Sequence, residues 1–540
     1  MKKAITYLAF FAATLTTAAQ TSLPILHTRE NPISYSENGR RPSAWFLSPE
    51  QRPDVLKTSA KEITFWSATD TLSFKLEEDG IVDFIVLTPE GDSAFTRVQW
   101  VSDNPLQNPP KEILGLSPTG RMSRQQAVFD INALVFNLYD IHPNLFATCK
   151  MQTFMQQVQD VKNNLPDSLT RLDLYRLAAP LVSMLGDGHT IMTFPFNDIF
   201  TRDLRRLPIL VEIDKNDATV SVRRTPDAAL PEGARILAIN NVKAEEMITR
   251  MLSYSSGEKR FFRLSRINGL FPALFELLYH ADNYEISFMD GRKQKSITLP
   301  AMTMAEMEQK ILPPKEQKKH DPRPYFYEIP DGANYAVMTF NACDDPQRMS
   351  NLADSLVADL RRRNIRNLII DVRQNGGGNS QVGDELLRRI SPVPFQQFGN
   401  TYIRVTPTTL RFANRKGSAG IVYHSTRALV QPLPAEQRFP GKTILLVSHD
   451  TFSSGASFSW AFKYFGIGTV VGEETGGMNV SFGEFIRYRL PVSGLTTTVS
   501  YKRFWQYGAD ENDIHGTLPD HNIPQAEALD YAIKKLCKKK

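Results

Sequence analysis

The sequence predicts a multidomain α/β protein, and three observations carry that prediction. From Tyr335 onward strand and helix patterns alternate: Tyr335–Phe340 and Asn367–Asp371 are short apolar runs, and between them Met349, Leu352, Leu356, Val357 and Leu360 recur at helical spacing. Such alternation gives an α/β core. Two Pro-containing stretches, NPLQNPP (104–110) and LPPKEQKKHDPRP (312–324), punctuate the chain as linkers. At 540 residues the chain also exceeds what one core of ordinary size holds.

The first residues, Met1 to Lys3, are charged, Ala4 to Leu15 are mostly apolar, and Thr16 to Ala19 are small. This order predicts a secretory signal over 1–19 and export to a periplasm or the exterior. The apolar stretch is shorter than the roughly 20 residues that span a bilayer, and no cysteine follows to accept a lipid, so no membrane span is expected after signal removal. Cys149, Cys343 and Cys537 are odd in number and far apart, which argues against a disulfide framework. A net charge of +5, with acids and bases interspersed, gives no stripe for nucleic acid. The tail from Lys534 to Lys540 reads as a solvated helix end.

A β module is expected over 20–110, from EITFW (62–66), TLSFK (71–75) and IVDFIVL (81–87) parted by Asp-Gly and Glu-Gly turns. A helical segment follows over 111–203. Val128, Ile131, Leu134 and Val135 share one face there, and Leu174, Leu177, Leu181 and Leu185 belong to a later helix that stops at GDGHT (186–190). Over 204–302 the strands PILVEI (208–213), TVSV (219–222) and RILAIN (235–240), a helix from Glu245 to Leu252, and a hairpin around Asp290-Gly291 follow in an order that resembles a PDZ-like module. It lacks a glycine-rich carboxylate-binding loop, and 256–280 reads as an insertion, so peptide binding and a purely structural role both stay open. A linker (303–325) and the α/β core (326–540) complete the chain.

Two segments of the core carry chemistry. Strand Asn367–Asp371 runs into VRQNGGGN (372–379), whose glycines allow close backbone approach and can present N–H groups to a developing negative charge, or simply make a tight turn. The run TILLVS (443–448) leads into TFSSGASFSWA (451–461), which places Ser453 where a strand turns into a helix. Unpaired N–H groups and the positive helix end would face its hydroxyl, as an oxyanion requires. Alone, the block also reads as an ordinary helix cap.

In order along the chain, LIIDVRQNGGG (368–378), the 451–461 block, VVGEETGG (470–477) and GTLPD (516–520) resemble the C-terminal processing (tail-specific) proteases and the tricorn core serine peptidases. The resemblance implies a peptidase core of ClpP/crotonase type, a peptide or protein substrate and no cofactor. It makes Ser453 the nucleophile and the N–H groups of Gly377 and Ser454 the oxyanion hole. The processing branch carries a lysine base after Gly-Glu-x-Thr-x-Gly, where this chain has Met478, and a thioether accepts no proton. The tricorn-like branch uses a histidine instead, which the resemblance assigns to His189 in LGDGHT (185–190); its near-neutral pKa suits the task. The acid position of the family falls on Asp513, with Glu511 the better match by residue type but two positions away.

His515 and His521 with Asp510, Asp513 and Asp520 fit no zinc or calcium spacing, so no metal is expected. Arg373 and Asp371 read as a strand-end pair that holds the glycine turn, and Trp460, Phe462 and Phe465 as core. The expected function is an exported serine peptidase acting through an acyl-enzyme. A catalytically inactive protein that binds a ligand or peptide on the same fold is the alternative, and a Ser/Lys dyad from an unexpected lysine is a further rival.

Overall fold

The computed structural model describes residues 117–200, 204–311, 323–412 and 420–537, with further strands between 54 and 100. The expected signal over 1–19 and residues 312–322 of the 303–325 linker lie outside the described residues. The chain divides into two compact units. The first comprises Met1–Asp198, Tyr402–Val422 and Glu484–Lys502, and the second Ile199–Thr401, Tyr423–Gly483 and Arg503–Lys540.

In the first unit the N-terminal runs are strands: Asp54–Ser59, Glu62–Trp66 and Thr71–Lys75 pair antiparallel in that order, and Gly80–Leu87 pairs with Ser93–Trp100. Helices α1 (Arg124–Ile141), α2 (Met151–Asn163) and α3 (Arg171–Ser183) follow. Both α1 and α3 begin in capping boxes, Ser123 with Gln126 and Thr170 with Asp173, where side chain and backbone satisfy each other's free N–H groups. The α2 helix was not separable by sequence as an element of its own, because only Phe154, Met155 and Val158 of a Gln-rich stretch are buried.

The first unit is held by polar contacts as well as apolar ones. Asp130, buried on α1, accepts hydrogen bonds from the N–H groups of Val492 and Ser493, both at 2.7 Å. Burial pushes its pKa up against the pull of those bonds. Arg404 donates to the carbonyls of Tyr139 and His142 at the end of α1. His142 is the C-cap of that helix.

The second unit contains a module and a core. In the module, β1 (Leu210–Ile213), β2 (Val220–Arg224), β3 (Arg235–Ile239), β4 (Asn283–Asp290) and β5 (Lys293–Pro300) form an antiparallel sheet in the order β5-β4-β3-β2-β1. Helix α4 (Ala244–Leu252) buries Met247, Ile248 and Met251. The segment read as an insertion is a 20-residue helix, α5 (Arg260–Tyr279), whose Phe271, Leu274 and Phe275 are buried.

In the core, β6 (Tyr325–Glu328) lies antiparallel to β7 (Tyr335–Phe340), after which β7, β8 (Asn367–Asp371), β9 (Lys442–Val447) and β10 (Thr469–Gly472) run parallel. Helix α6 (Pro346–Arg362) connects β7 to β8, α7 (Gln381–Ile390) follows β8, and α8 (Ser454–Tyr464) connects β9 to β10. The central strands are apolar on both faces. Leu368, Ile370, Leu445 and Val447 pack with Met349, Leu356, Leu386, Phe458 and Phe462 on one side, and Ile369, Ile444 and Leu446 with Ala528 and Ala532 on the other. A sheet covered on both faces explains why β8 and β9 read as continuous apolar runs rather than alternating ones.

Replacing Asp130 by alanine removes the acceptor of two buried N–H groups. An unsatisfied buried group costs roughly 1–3 kcal/mol, so Asp130→Ala is expected to lower unfolding free energy by about 2–5 kcal/mol in urea denaturation. A loss no larger than that of an exposed substitution would refute the role.

Candidate active site

The parallel register sets Asp371 of β8 beside Leu446 of β9, so the turns that leave these strands emerge side by side. Arg373 reaches back from the β8 turn to Asp371 with both carboxylate oxygens engaged, as expected of a strand-end pair. Asn375, fully buried, organises the rest. Its Nδ2 donates to Phe340 O at 2.9 Å, its Oδ1 accepts from Gly377 N at 2.9 Å, and its carbonyl accepts from Phe452 N at 2.9 Å. Cys343 clamps the same turn, its N–H bonding Gly377 O and its carbonyl receiving Asn379 N–H, both at 2.8 Å.

The glycine turn is pressed against the serine turn. A Cβ on Gly377 would lie 2.5 Å from Ser453 Cβ, 2.9 Å from Ser454 N and 3.0 Å from Ser453 Oγ, and Gly377 has φ +103°. Gly455 and Gly477 are equally confined, by Asn375 O at 2.7 Å and by Ala456 Cβ at 2.5 Å. Ser453 is the N-cap of α8 with φ 51° and ψ −127°, a conformation that a non-glycine residue rarely adopts. Ser454, the first helical residue, donates its hydroxyl to Gly378 O at 2.6 Å. Thr451 fixes the entrance, its hydroxyl donating to Val372 O and accepting from Ser448 N.

Ser453, Ser454 and Gly377 therefore lie together. The Gly377 N–H is directed at Asn375 Oδ1, while Ser454 N–H stands at the start of the helix. Asp513 and Glu511 are both engaged elsewhere within this unit. Asp513 accepts from Asn479 Nδ2 and His515 N, and Glu511 from Arg503 and Trp505 Nε1. Met478 is buried and its backbone bridges Gly516. Lys463 is bound to Asp520 and to Leu518 O.

A second support for the serine turn comes from α5, the segment whose sequence reads as an insertion. Phe262 stacks on Phe452, the neighbour of Ser453, with ring centroids 4.4 Å apart, and the Arg266 guanidinium lies over both rings. Phe261 stacks on His449 at 4.1 Å. His449 Nδ1 faces Glu474 O at 2.8 Å, so that nitrogen carries the ring proton. From the same module Lys215 bonds Asp450 at 2.7 Å and Gln525 at 2.9 Å. The sequence signal was there, in the Phe-Phe pair at the start of a helical pattern, but nothing local tells which surface such a pair covers.

His189 belongs to the first unit. Its N–H donates to Asp187 Oδ1 at 2.9 Å, its carbonyl accepts from Thr498 Oγ1 at 2.7 Å, and its ring lies 6.5 Å from that of Phe485. Asp187 is buried and accepts further bonds from His142 Nε2 at 3.2 Å, Thr190 Oγ1 and Ser500 Oγ. Burial alone would raise its pKa, but the His142 hydrogen bond, the electrostatic pull of the two nearby imidazoles, and the Ser500 hydroxyl together hold it well below the usual carboxylate range. Neither Asp187 nor His142 was singled out from sequence. Among the described residues no group of three or more His, Cys, Asp or Glu side chains is arranged to hold a metal.

The crowding at Gly377 yields a direct test. Gly233 also has positive φ, +83°, but nothing within 4 Å of an added Cβ. Gly233→Ala therefore reports conformational strain alone, about 1–2 kcal/mol. Gly377→Ala should cost a further ~1–3 kcal/mol of overpacking in denaturant titrations. Equal losses would mean that the turns are not in contact.

The elements that build this serine site coincide with a known family. Residues 335–523 match the model of Peptidase family S41. The mature CPAF crystal structure shares the fold at 13% identity, with a TM-score of 0.57 over 77% of this chain and 97% of that one. A structure of mature CPAF complexed with lactacystin gives 12% identity and a TM-score of 0.53 over 77% and 98%. No curated protein matches the sequence. The S41 match runs through β7, β8, β9, β10 and both turns at Ser453, so residues 335–523 are similar to peptidase family S41, and the match supports a serine-type peptidase.

Proposed function

We propose that the protein is an exported peptidase that cleaves peptide bonds by a Ser-His-acid mechanism through an acyl-enzyme. The observation that carries the reading is the close approach of Gly377 to Ser453 and Ser454 at the start of α8. His189 takes the proton of Ser453 Oγ, which attacks the substrate carbonyl. The oxyanion is met by Ser454 N–H at the helix start, and the Gly377 N–H turns to it from Asn375 Oδ1; each donor of this kind supplies roughly 3 kcal/mol. His189 then protonates the leaving amine, and water releases the acyl group by the same route. Asp513 is the acid that the family register suggests, with Glu511 as the alternative. Lys463 is a poor candidate for a Ser/Lys dyad, since its ammonium is committed to Asp520. Export rests on the Met1 to Ala19 pattern, and delivery to a periplasm or the exterior follows from it.

Labelling by a fluorophosphonate probe tests the mechanism. The wild type is expected to label, Ser453→Ala not at all, and His189→Ala about 10²–10⁴-fold more slowly. A folded wild type that does not label would favour the inactive binding protein, and full labelling of His189→Ala would favour a different base.

A further inference from the structure

We infer that Asp187 is the positioning carboxylate of His189, held in place by His142 and Ser500. The inference rests on the reading of His189 as general base and concerns a group that no part of that reading uses.

Three segments far apart in sequence converge on this one carboxylate. His142, at the end of α1, faces Asp187 Oδ2 through Nε2 at 3.2 Å. Its Nδ1 accepts the N–H of Asn144 at 3.1 Å, so the proton sits on Nε2 and is donated to the carboxylate. Ser500 donates to the same oxygen at 2.6 Å from the strand Thr496–Gln506, and Thr190 donates from the loop itself. A loop-capping aspartate needs only local backbone donors. The buried His142 and Ser500 go beyond that requirement, and both load Oδ2, so Oδ1 is the oxygen turned toward His189.

Oδ1 receives the backbone N–H of His189 at 2.9 Å and lies 3.9 Å from its Nδ1. That separation is too long for a hydrogen bond but within the range where an anion stabilises a neighbouring cation. When His189 takes a proton, the negative charge on Asp187 favours the imidazolium, and a small tilt of the ring brings Nδ1–H onto Oδ1. The carboxylate is already ionised for this purpose, for the reasons given above. The titratable groups acting on Asp187 are His142 from the end of α1 and His189 from its own loop; the strand Thr496–Gln506 contributes a neutral hydroxyl. The acids proposed from the family register are by contrast already bonded to Asn479, Arg503 and Trp505.

The test is the pH dependence of kcat/KM, or of the fluorophosphonate labelling rate, in the full chain carrying Asp187→Asn. Removing the anion lowers the pKa of His189, so the acidic limb should move toward lower pH by about one unit, while the plateau rate falls by about tenfold or more. A purely structural role would lower the rate without moving the limb, and that result overturns the inference, as does a wild-type profile. If Asp187→Asn does not fold, Ser500→Ala replaces it: a several-fold fall in kcat at unchanged KM supports the inference, and an unchanged kcat overturns it. His189→Ala run in parallel separates the two levels, since wild-type reactivity there means that the base is elsewhere. Loss there with an unmoved Asp187→Asn limb removes only the positioning role.

Discussion

Everything in the serine site depends on two backbone turns touching. The parallel register of β8 and β9 brings the strand ends together, and the segments that leave them meet with no side chain between them at Gly377 and Gly455, while Gly477, beyond β10, closes on the same turn. Asn375 stitches the contact, since one residue bonds the end of β7, its own glycine turn and the backbone just before Ser453. Burying an amide is tolerable only when its polar atoms are satisfied, and here they are satisfied by the segments that must be aligned. The cost of the geometry falls on Ser453, whose positive φ is worth roughly 1–3 kcal/mol of strain.

That strain has to be offset by rigid surroundings, and α5 supplies part of them. A stacked aromatic pair contributes about 0.5–1.5 kcal/mol beyond its buried area, and a cation over a ring about 0.5–2 kcal/mol. Phe262 on Phe452 with Arg266 over both is thus comparable in size to the strain at the next residue. The 204–302 module is consequently part of what holds the serine turn. Lys215 on Asp450 and Phe261 on His449 add to the same contact.

The elements nearest the serine were legible in the sequence because they obey local rules. Buried parallel strands give unbroken apolar runs, so β8 was bounded correctly and β9 to within a residue. Gly377 and Gly378 admit no Cβ, so the glycine turn stands out in the sequence. What escaped was set by tertiary contact. Phe261 and Phe262 look like any apolar helix start until the surface they cover is known. Asn375 reads as one more polar turn residue, and only its three bonds distinguish it. His142 and Asp187 lie 45 positions apart in sequence. No periodicity links a helix C-cap to a loop aspartate.

The residue at position 478 bears on which base the proposed mechanism can use. A lysine base there would be a cation beside the nucleophile, one that must lose its charge to work, and burial would help it do so. Met478 is buried without charge, so that route is closed and the site turn needs no counter-ion. A histidine base reverses the electrostatic problem, because it begins neutral and becomes cationic during reaction. It gains from a fixed anion that stays ionised at the pH where the ring titrates. Asp187 has this property through donors belonging entirely to the first unit, His142 and Ser500 among them. The serine turn is likewise fixed by donors of the second unit. Asp187 and the serine turn are therefore each fixed by contacts inside their own unit.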